Sequence, residues 1–461
     1  MSTVALKRDL HTLAGRLQGD LFVTGDAGWD EARQAWNRAV DQQPAAVLLA
    51  KTAEDVATGV EFARANGLRV AVQGTGHGAG ALGELTDTIL LKTERMRTVT
   101  VDPETHTVQV DAGVIWQEAA DAAAAHDLAV LAGSAPDVGV VGYTLGGGMS
   151  WLARKYGLAA AAVRAADVVT ADGCPRRIDR DNDPELFWAI RGGGGNFAAV
   201  TALEFTAVPL TKVYAGWLIW PIEDAVRVLR AWRDWLARVP EEITSCARLL
   251  HVPPLPEIPE PFRGRSLVAV EAVSCGARAE ADDLLAELRA LGPQMDTFAL
   301  LPARELGHFH LDPEHPSPGL GNGMLLDELP DGVIDELIAH VGAGSHTPLL
   351  SVEIRHSGGA LARAQEDAGA AGALAGELAL FALGVPFEPS MREAIVAAVD
   401  RIEEIFTVCR CGRYFNFTER RVDASALFPG DALARLRRVK TEYDPANLFR
   451  ANHPILEGAN S

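Results

Sequence analysis

Three glycine-dense stretches constrain this chain more than any other feature: "GTGHGAG" at 74–80, "GVVGYTLGGG" at 139–148 and "GGGG" at 192–195. Glycine at such density marks backbone that is approached closely or that takes φ > 0. The first stretch follows a strand-like apolar run, "RVAVQ", and carries His77. Its glycines stand at every second position, unlike the G-x-G-x-x-G of dinucleotide folds, and no stretch carries the G-K-[ST] of a P-loop. Backbone N–H groups freed by glycine can still converge on a pyrophosphate without a cationic side chain. A tight turn explains any one of these loops. Three loops, one of them holding a histidine, are better explained by a ligand cradle.

At 461 residues the chain exceeds one ordinary core, so two domains, or one interrupted by another, are expected. From about 45 to 210 short apolar runs alternate with helical patterns. "AAVLLAK", "TAEDVATGVEFARANG" and "RVAVQG" read as strand, helix and strand, the helix stopping at Asn66-Gly67. "TVTVDPETHTVQVDAGV" reads as two alternating strands around a turn, and "IWQEAADAAAAHDL" as a helix. Beyond Pro209 the strand-like "KVYAGWLIWPI", "RSLVAVEAVS" and "PLLSVEIRHSGG" are separated by helical stretches. That pattern predicts an antiparallel sheet with helices on one face, over about 211–412. The tail, 413–461, reads as a return to the first domain.

Acidic residues outnumber basic ones 62 to 42, a net charge of −20 with no local basic cluster, which argues against nucleic acid as a partner. No run reaches the roughly eighteen apolar residues of a membrane span. The N-terminal stretch reads as an amphipathic helix and not as a signal peptide. Five scattered cysteines do not form a disulfide framework, and a cytoplasmic location is expected. Cys409 and Cys411 read as packing, and "GHFHLDPEHP", with His308, His310 and His315, as an ordinary loop; no metal is expected.

Four ordered motifs carry a resemblance from about residue 40 to the C-terminus: "QGTGHGAGAL", "GSAPDVGVVGYTLGGGMSWLARKYGLAA", "DPELFWAIRGGGGNFAAV" and "YFNFTERR…RLRRVKTEYDPANLFRANHPI". The chain resembles the FAD-linked oxidases of the vanillyl-alcohol oxidase type, in their berberine bridge enzyme-like branch. The resemblance implies an α+β fold. A two-part FAD-binding domain of the PCMH type, 1–210 (core about 40–210) and 413–461, holds an inserted antiparallel-sheet substrate domain, 211–412, covered by helices on one face.

It also implies roles. His77 carries FAD covalently through the 8α-methyl carbon, an imidazole being a good nucleophile near neutral pH. Gly74, Thr75, Gly76, Gly78, Ala79, Ser134, Asp137, Val138, Gly139, Gly142, Tyr143, Gly146, Gly147, Gly148 and Asn416 line the cofactor. Ala135 stands where relatives place a second, cysteinyl attachment, so a single link is expected. Val138 matches a position whose valine is associated with O2 access, which favours an oxidase.

Flavin oxidation pairs hydride transfer with loss of a proton, so a base should face the ring. Where plant members have a tyrosine, this chain has Phe417, which cannot take a proton. Glu353 is the compensating candidate: alternation puts it with Ser351 and Arg355 on one strand face. Burial would raise its pKa, unless Arg355 pairs with it and holds it ionised. Tyr414, Asn416 and Tyr143 complete the catalytic candidates. Trp151, Trp217, Trp220 and Phe309 are candidate aromatic walls, although such residues more often form core. The expected function is an oxidase of a small alcohol, amine, sugar or specialised metabolite, with O2 as acceptor. A dehydrogenase with another acceptor, or a catalytically silent flavin-binding protein, stays open, as does the oligomeric state.

Overall fold

The computed structural model describes residues 3–256, 258, 260–363 and 368–456. The chain begins with α1 (Thr3–Ala14), β1 (Asp20–Phe22), β2 (Ala46–Leu49), α2 (Ala53–Asn66), β3 (Arg69–Gln73) and β4 (Thr88–Lys92). α2 starts where Thr52 Oγ1 accepts the Asp55 N–H at 3.2 Å and stops at Gly67, whose φ of 66° is left-handed. The four strands pair in the order β1-β2-β4-β3, β4 running parallel to β2 and β3. The expected strand–helix–strand unit is thus present with a correction: β4 lies between its two strands. β4 is buried at all its positions and takes the central place, so the α2 crossover passes over it.

Next come β5 (Val99–Asp102), β6 (Thr107–Asp111), α3 (Trp116–Ala124), α4 (Val140–Leu145), β7 (Val163–Val169), β8 (Pro175–Asp179) and β9 (Ala199–Thr206). These strands form an antiparallel sheet, β5-β6-β9-β7-β8.

The third sheet uses β10 (Lys212–Pro221), β11 (Ile243–His251), β12 (Ser266–Ser274), β13 (Met295–Asp296), β14 (Ala299–Pro302), β15 (Leu320–Leu326), β16 (Ser351–His356), β17 (Leu378–Gly384) and β18 (Arg410–Gly412). Its pairs are antiparallel. α5 (Ala225–Leu236), α6 (Arg278–Arg289), α7 (Asp331–Val341) and α8 (Arg392–Ile405) share one core with one face of this sheet. Strand alternation decides which side chains join them. Leu218 and Trp220 of β10, Val268 and Val270 of β12, and Val352 and Ile354 of β16 point into the helices. Trp220 is therefore core and not a wall of the site. Trp217, Glu271 and Glu353 lie on the opposite face, and Cys409 packs in the helix-side core.

The tail returns as expected. Val70 of β3 is bridged to Phe449, and the Val70 N–H donates to Leu448 O at 2.9 Å. On α9 (Gly430–Tyr443) the buried Lys440 ammonium donates to Asn196 O at 2.6 Å and to Asp444 Oδ2 at 2.5 Å. This clamps the third glycine stretch to the C-terminal helix. Among the described residues no helix is long and apolar enough to cross a membrane.

Candidate active site

The first glycine loop leaves β3 and is held from both sides. The Trp36 N–H donates to Thr75 O at 2.9 Å, and Asn452 Nδ2 donates to Gly78 O at 2.6 Å. Gly76 needs its left-handed φ of 90°, and a Cβ there would meet Ala35 Cβ at 2.9 Å. Gly74 precedes this turn, and Ala79 opens a short buried 3-10 turn after it. His77 is stacked on Trp36, with ring centroids 4.1 Å apart and planes at 20°. Its Nδ1 lies 2.8 Å from Thr75 Oγ1 and its Nε2 3.6 Å from Asp137 Oδ1. The other Asp137 oxygen accepts the Trp36 indole N–H at 2.5 Å. Burial alone would raise the Asp137 carboxyl, but its contacts with His77 and Trp36 outweigh that and hold it below its ordinary value.

The second loop meets the first, because a Cβ on Gly139 would lie 3.6 Å from Thr75 Cγ2. Val138 offers its carbonyl to the Trp116 N–H at 3.0 Å and packs partly against the core. Within α4, a Cβ on Gly142 would meet open space, and the buried Tyr143 hydroxyl finds no partner. His77 Nε2 and Asp137 Oδ1 are likewise buried and unsatisfied. A cradle of bare glycine backbone beside orphaned polar atoms fits a polar, extended cofactor such as FAD.

Past α4 the glycines serve packing. A Cβ on Gly146 would sit 1.9 Å from Asn416 Oδ1, and Asn416 Nδ2 donates to Tyr143 O at 2.9 Å. Gly147 and Gly148 turn the chain with φ of 107° and 78°. Beneath them the Tyr414 hydroxyl accepts the Met149 N–H at 2.8 Å and Asn416 Nδ2 at 3.1 Å. Burial pushes its phenol up to about 12. Tyr414 thus supports the glycine turn and is not poised to accept a proton near neutrality.

The other side of the site is charged. Glu353 of β16 is 4% exposed, its Oε1 accepting Arg355 Nε at 2.9 Å and its Oε2 lying 2.7 Å from His310 Nε2. His310 Nδ1 lies 2.5 Å from Glu271 Oε2. Arg248 of β11 donates to His310 O at 2.7 Å and reaches Glu271 Oε1 at 3.4 Å. Arg355 Nη2 donates to Ser134 Oγ at 3.1 Å, and Ser134 in turn donates to Asp312 at 3.2 Å. The guanidinium stands 5.7 Å from the centroid of Trp151 and 5.1 Å from that of Phe417. Trp217 donates its indole N–H to Phe309 O at 3.0 Å, which places both on this face.

Of the two readings of Glu353, raised by burial or held ionised by Arg355, the structure bears out the second. Burial raises the pKa, but Arg355, His310 and Arg248 together overwhelm that and hold the carboxyl far below its ordinary value. The expectation of an ordinary loop at "GHFHLDPEHP" is corrected for His310, because the structure separates the three histidines of that stretch. His308 pairs with Glu314 near the surface, His315 is exposed, and His310 is 1% exposed between two carboxylates. Its turn inward is set by Leu311, whose φ of 58° is left-handed and whose side chain is thrown outward. Trp36 also went unanticipated, since nothing in "DEARQAWNRAV" marks it.

Residues 44–179 match the family model described as an FAD binding domain, and residues 413–456 the one described as berberine and berberine like. The chain is 28% identical over 455 residues to (R)-6-hydroxynicotine oxidase of Paenarthrobacter nicotinovorans, covering 95% of this chain and 97% of that protein. Two solved structures share the fold. The 6-hydroxy-D-nicotine oxidase of Arthrobacter nicotinovorans superposes with a TM-score of 0.81 at 24% identity, covering 94% of this chain and 96% of that one. The glucooligosaccharide oxidase of Acremonium strictum, described with a 6-S-cysteinyl, 8α-N1-histidyl FAD, gives 0.80 at 22% identity, covering 97% and 100%.

Proposed function

Since the chain belongs to the FAD-linked, berberine bridge enzyme-like oxidoreductases, we propose that it is an oxidase of a small organic substrate whose FAD is bound covalently through His77 alone. Residues 1–210 and 413–461 hold the cofactor, and 211–412 supply the wall facing the substrate. The observation that carries this reading is the contact of Arg355 with Ser134. It brings the ionised Glu353 beside the loop whose Asp137 faces His77. The loops of residues 74–79 and 134–143 would hold FAD, which would supply two-electron, hydride-accepting chemistry, with O2 proposed as the final acceptor.

The residues of the chain supply the rest. The Asp137 carboxylate, 3.6 Å from His77 Nε2, favours a proton on that nitrogen, and the Thr75 hydroxyl 2.8 Å from Nδ1 holds the ring in place. In this tautomer Nδ1 is the nucleophilic nitrogen of His77. Ala135 offers no thiol for a second bond. Glu353 accepts the substrate's O–H or N–H proton. Its low basicity is no obstacle, because that proton becomes strongly acidic as hydride leaves the adjacent carbon. The resemblance to the 6-hydroxy-D-nicotine oxidase pattern implies a lysine at the position of Ser351, so that amine site is not reproduced here and an alcohol or sugar hydroxyl is favoured. Val138 beside the Gly139 turn supports O2 as the acceptor.

An acid-denatured, unstained gel viewed for flavin fluorescence, with mass spectrometry of the His77 peptide, tests the tether. Flavin released by acid would overturn it. An anaerobic panel of alcohols, sugars and amines tests the reaction through bleaching of the bound flavin. Admission of air then separates the acceptors: reoxidation within seconds supports the oxidase, and minutes would sink it.

A further inference from the structure

The charged cluster holds more than proton acceptance requires. A lone buried carboxylate beside Arg355 would serve, yet Glu353 also gives its Oε2 to His310, which gives its other nitrogen to Glu271. Spacings of 2.7 and 2.5 Å put one proton in each gap, and Arg355 Nη2, at 3.3 Å from Nε2, is the more distant neighbour of that nitrogen; with both carboxyls ionised, the ring carries both protons. The charges agree. Arg248 and Arg355 set against Glu271, Asp312 and Glu353 leave one unbalanced negative charge, which an imidazolium offsets and a neutral ring does not. The ring is sealed in the protein and both its nitrogens are engaged, so it does not meet substrate.

Resting on the reading of Glu353 as proton acceptor, we infer that His310 is a positioning residue: locked as an imidazolium between Glu271 and Glu353, it keeps Glu353 ionised and ready to accept. The groups facing Glu353 account for its state. On its own strand Arg355 pairs with it, and from β11 come Arg248 and the thiol of Cys246, whose pKa is raised by burial and then by both glutamates. From β12 comes Glu271, acting through His310, and from the loop after β14 come His310 and Asp312. The partner across β17 is the apolar Phe381. Burial and the first guanidinium, Arg248, lower the His310 pKa, but Glu271, Asp312 and Glu353 prevail and it stands above its ordinary value.

The test is an infrared titration of the holoenzyme carrying 13C-labelled glutamate, which needs no substrate. The carbonyl band of protonated Glu353 is the band that disappears in Glu353→Gln. In His310→Gln the side chain keeps a hydrogen bond and loses the charge, and that band is expected to appear about one to three pH units higher than in the wild type. Glu271→Gln destabilises the imidazolium and moves the band the same way by less; it carries the test alone if His310→Gln does not fold. A band at the wild-type position in the folded variants overturns the inference. The two readings fail separately: full turnover in Glu353→Gln removes the proton acceptor, whereas an inactive Glu353→Gln with an unmoved band removes only the role of His310.

Discussion

The two sides of the site are built by different means. The proposed tether side is made by neighbouring loops, where glycine frees the backbone and His77, Thr75 and Asp137 meet across a loop-to-loop contact. The proposed acid–base side takes Arg248 from β11, Glu271 from β12, Glu353 and Arg355 from β16, and His310 from a loop. The first side is shaped by backbone conformation, and the second by the balance of buried charge. A change to the first should alter whether cofactor is held, and a change to the second how fast it is used.

The sharpest separation comes from His77→Ala, which removes the only proposed nucleophile. Covalent flavin should be lost completely, so that no fluorescence stays with the acid-denatured chain. Fluorescence retained on the polypeptide would place the tether elsewhere. On the other side, Glu353→Gln should leave flavin attached while turnover falls about 10²- to 10⁴-fold. If attachment fell with turnover, the two sides would not be independent.

Within the proposed tether side, Asp137→Asn keeps the shape and removes the charge beside His77 Nε2. The loss of that charge, 3.6 Å from His77 Nε2, should slow attachment about 10-fold, read as flavin incorporated into freshly made apoprotein over time. Once loaded, the variant should use substrate at close to the wild-type KM. A changed KM would mean that Asp137 also shapes the substrate side.

The same division explains how much could be read in advance. Glycine loops, His77 and the Asn66-Gly67 stop are local, and the residue type names the backbone conformation it permits. Alternation along β16 also placed Glu353 and Arg355 on one face, which the structure bears out. Alternation gives a face and says nothing of which strand lies beside it, so the Arg248 and Glu271 contacts were invisible. Trp217 and Trp220 show the same limit: three residues apart in one strand, they take opposite faces, and only the finished sheet says which face is core. His310 left even less trace. It sits in a proline-containing loop with no period, turned inward by the positive φ of Leu311, a residue type that does not advertise that conformation.

The smallest expected effect compares one buried histidine from each part of the molecule. His356 ends β16, and burial, then Arg154, lowers it to about 3. His453 lies in the returning tail, and burial lowers it to about 4 although its contact with Thr418 O opposes the shift. Both folded values lie below the unfolded value near 6.5. As pH falls through that value the unfolded chain binds protons that the folded chain refuses. Stability is therefore fully present above about pH 6.5 and declines toward the folded values. Between about pH 7.5 and about pH 5.5 each histidine should remove about 1 kcal/mol, measured as denaturant midpoints at the two pH values. His453→Gln and His356→Gln should each flatten that slope by one histidine's share. If only one does, the other ring is reached by water or by a proton in the folded state, and its part of the molecule opens locally before the whole unfolds.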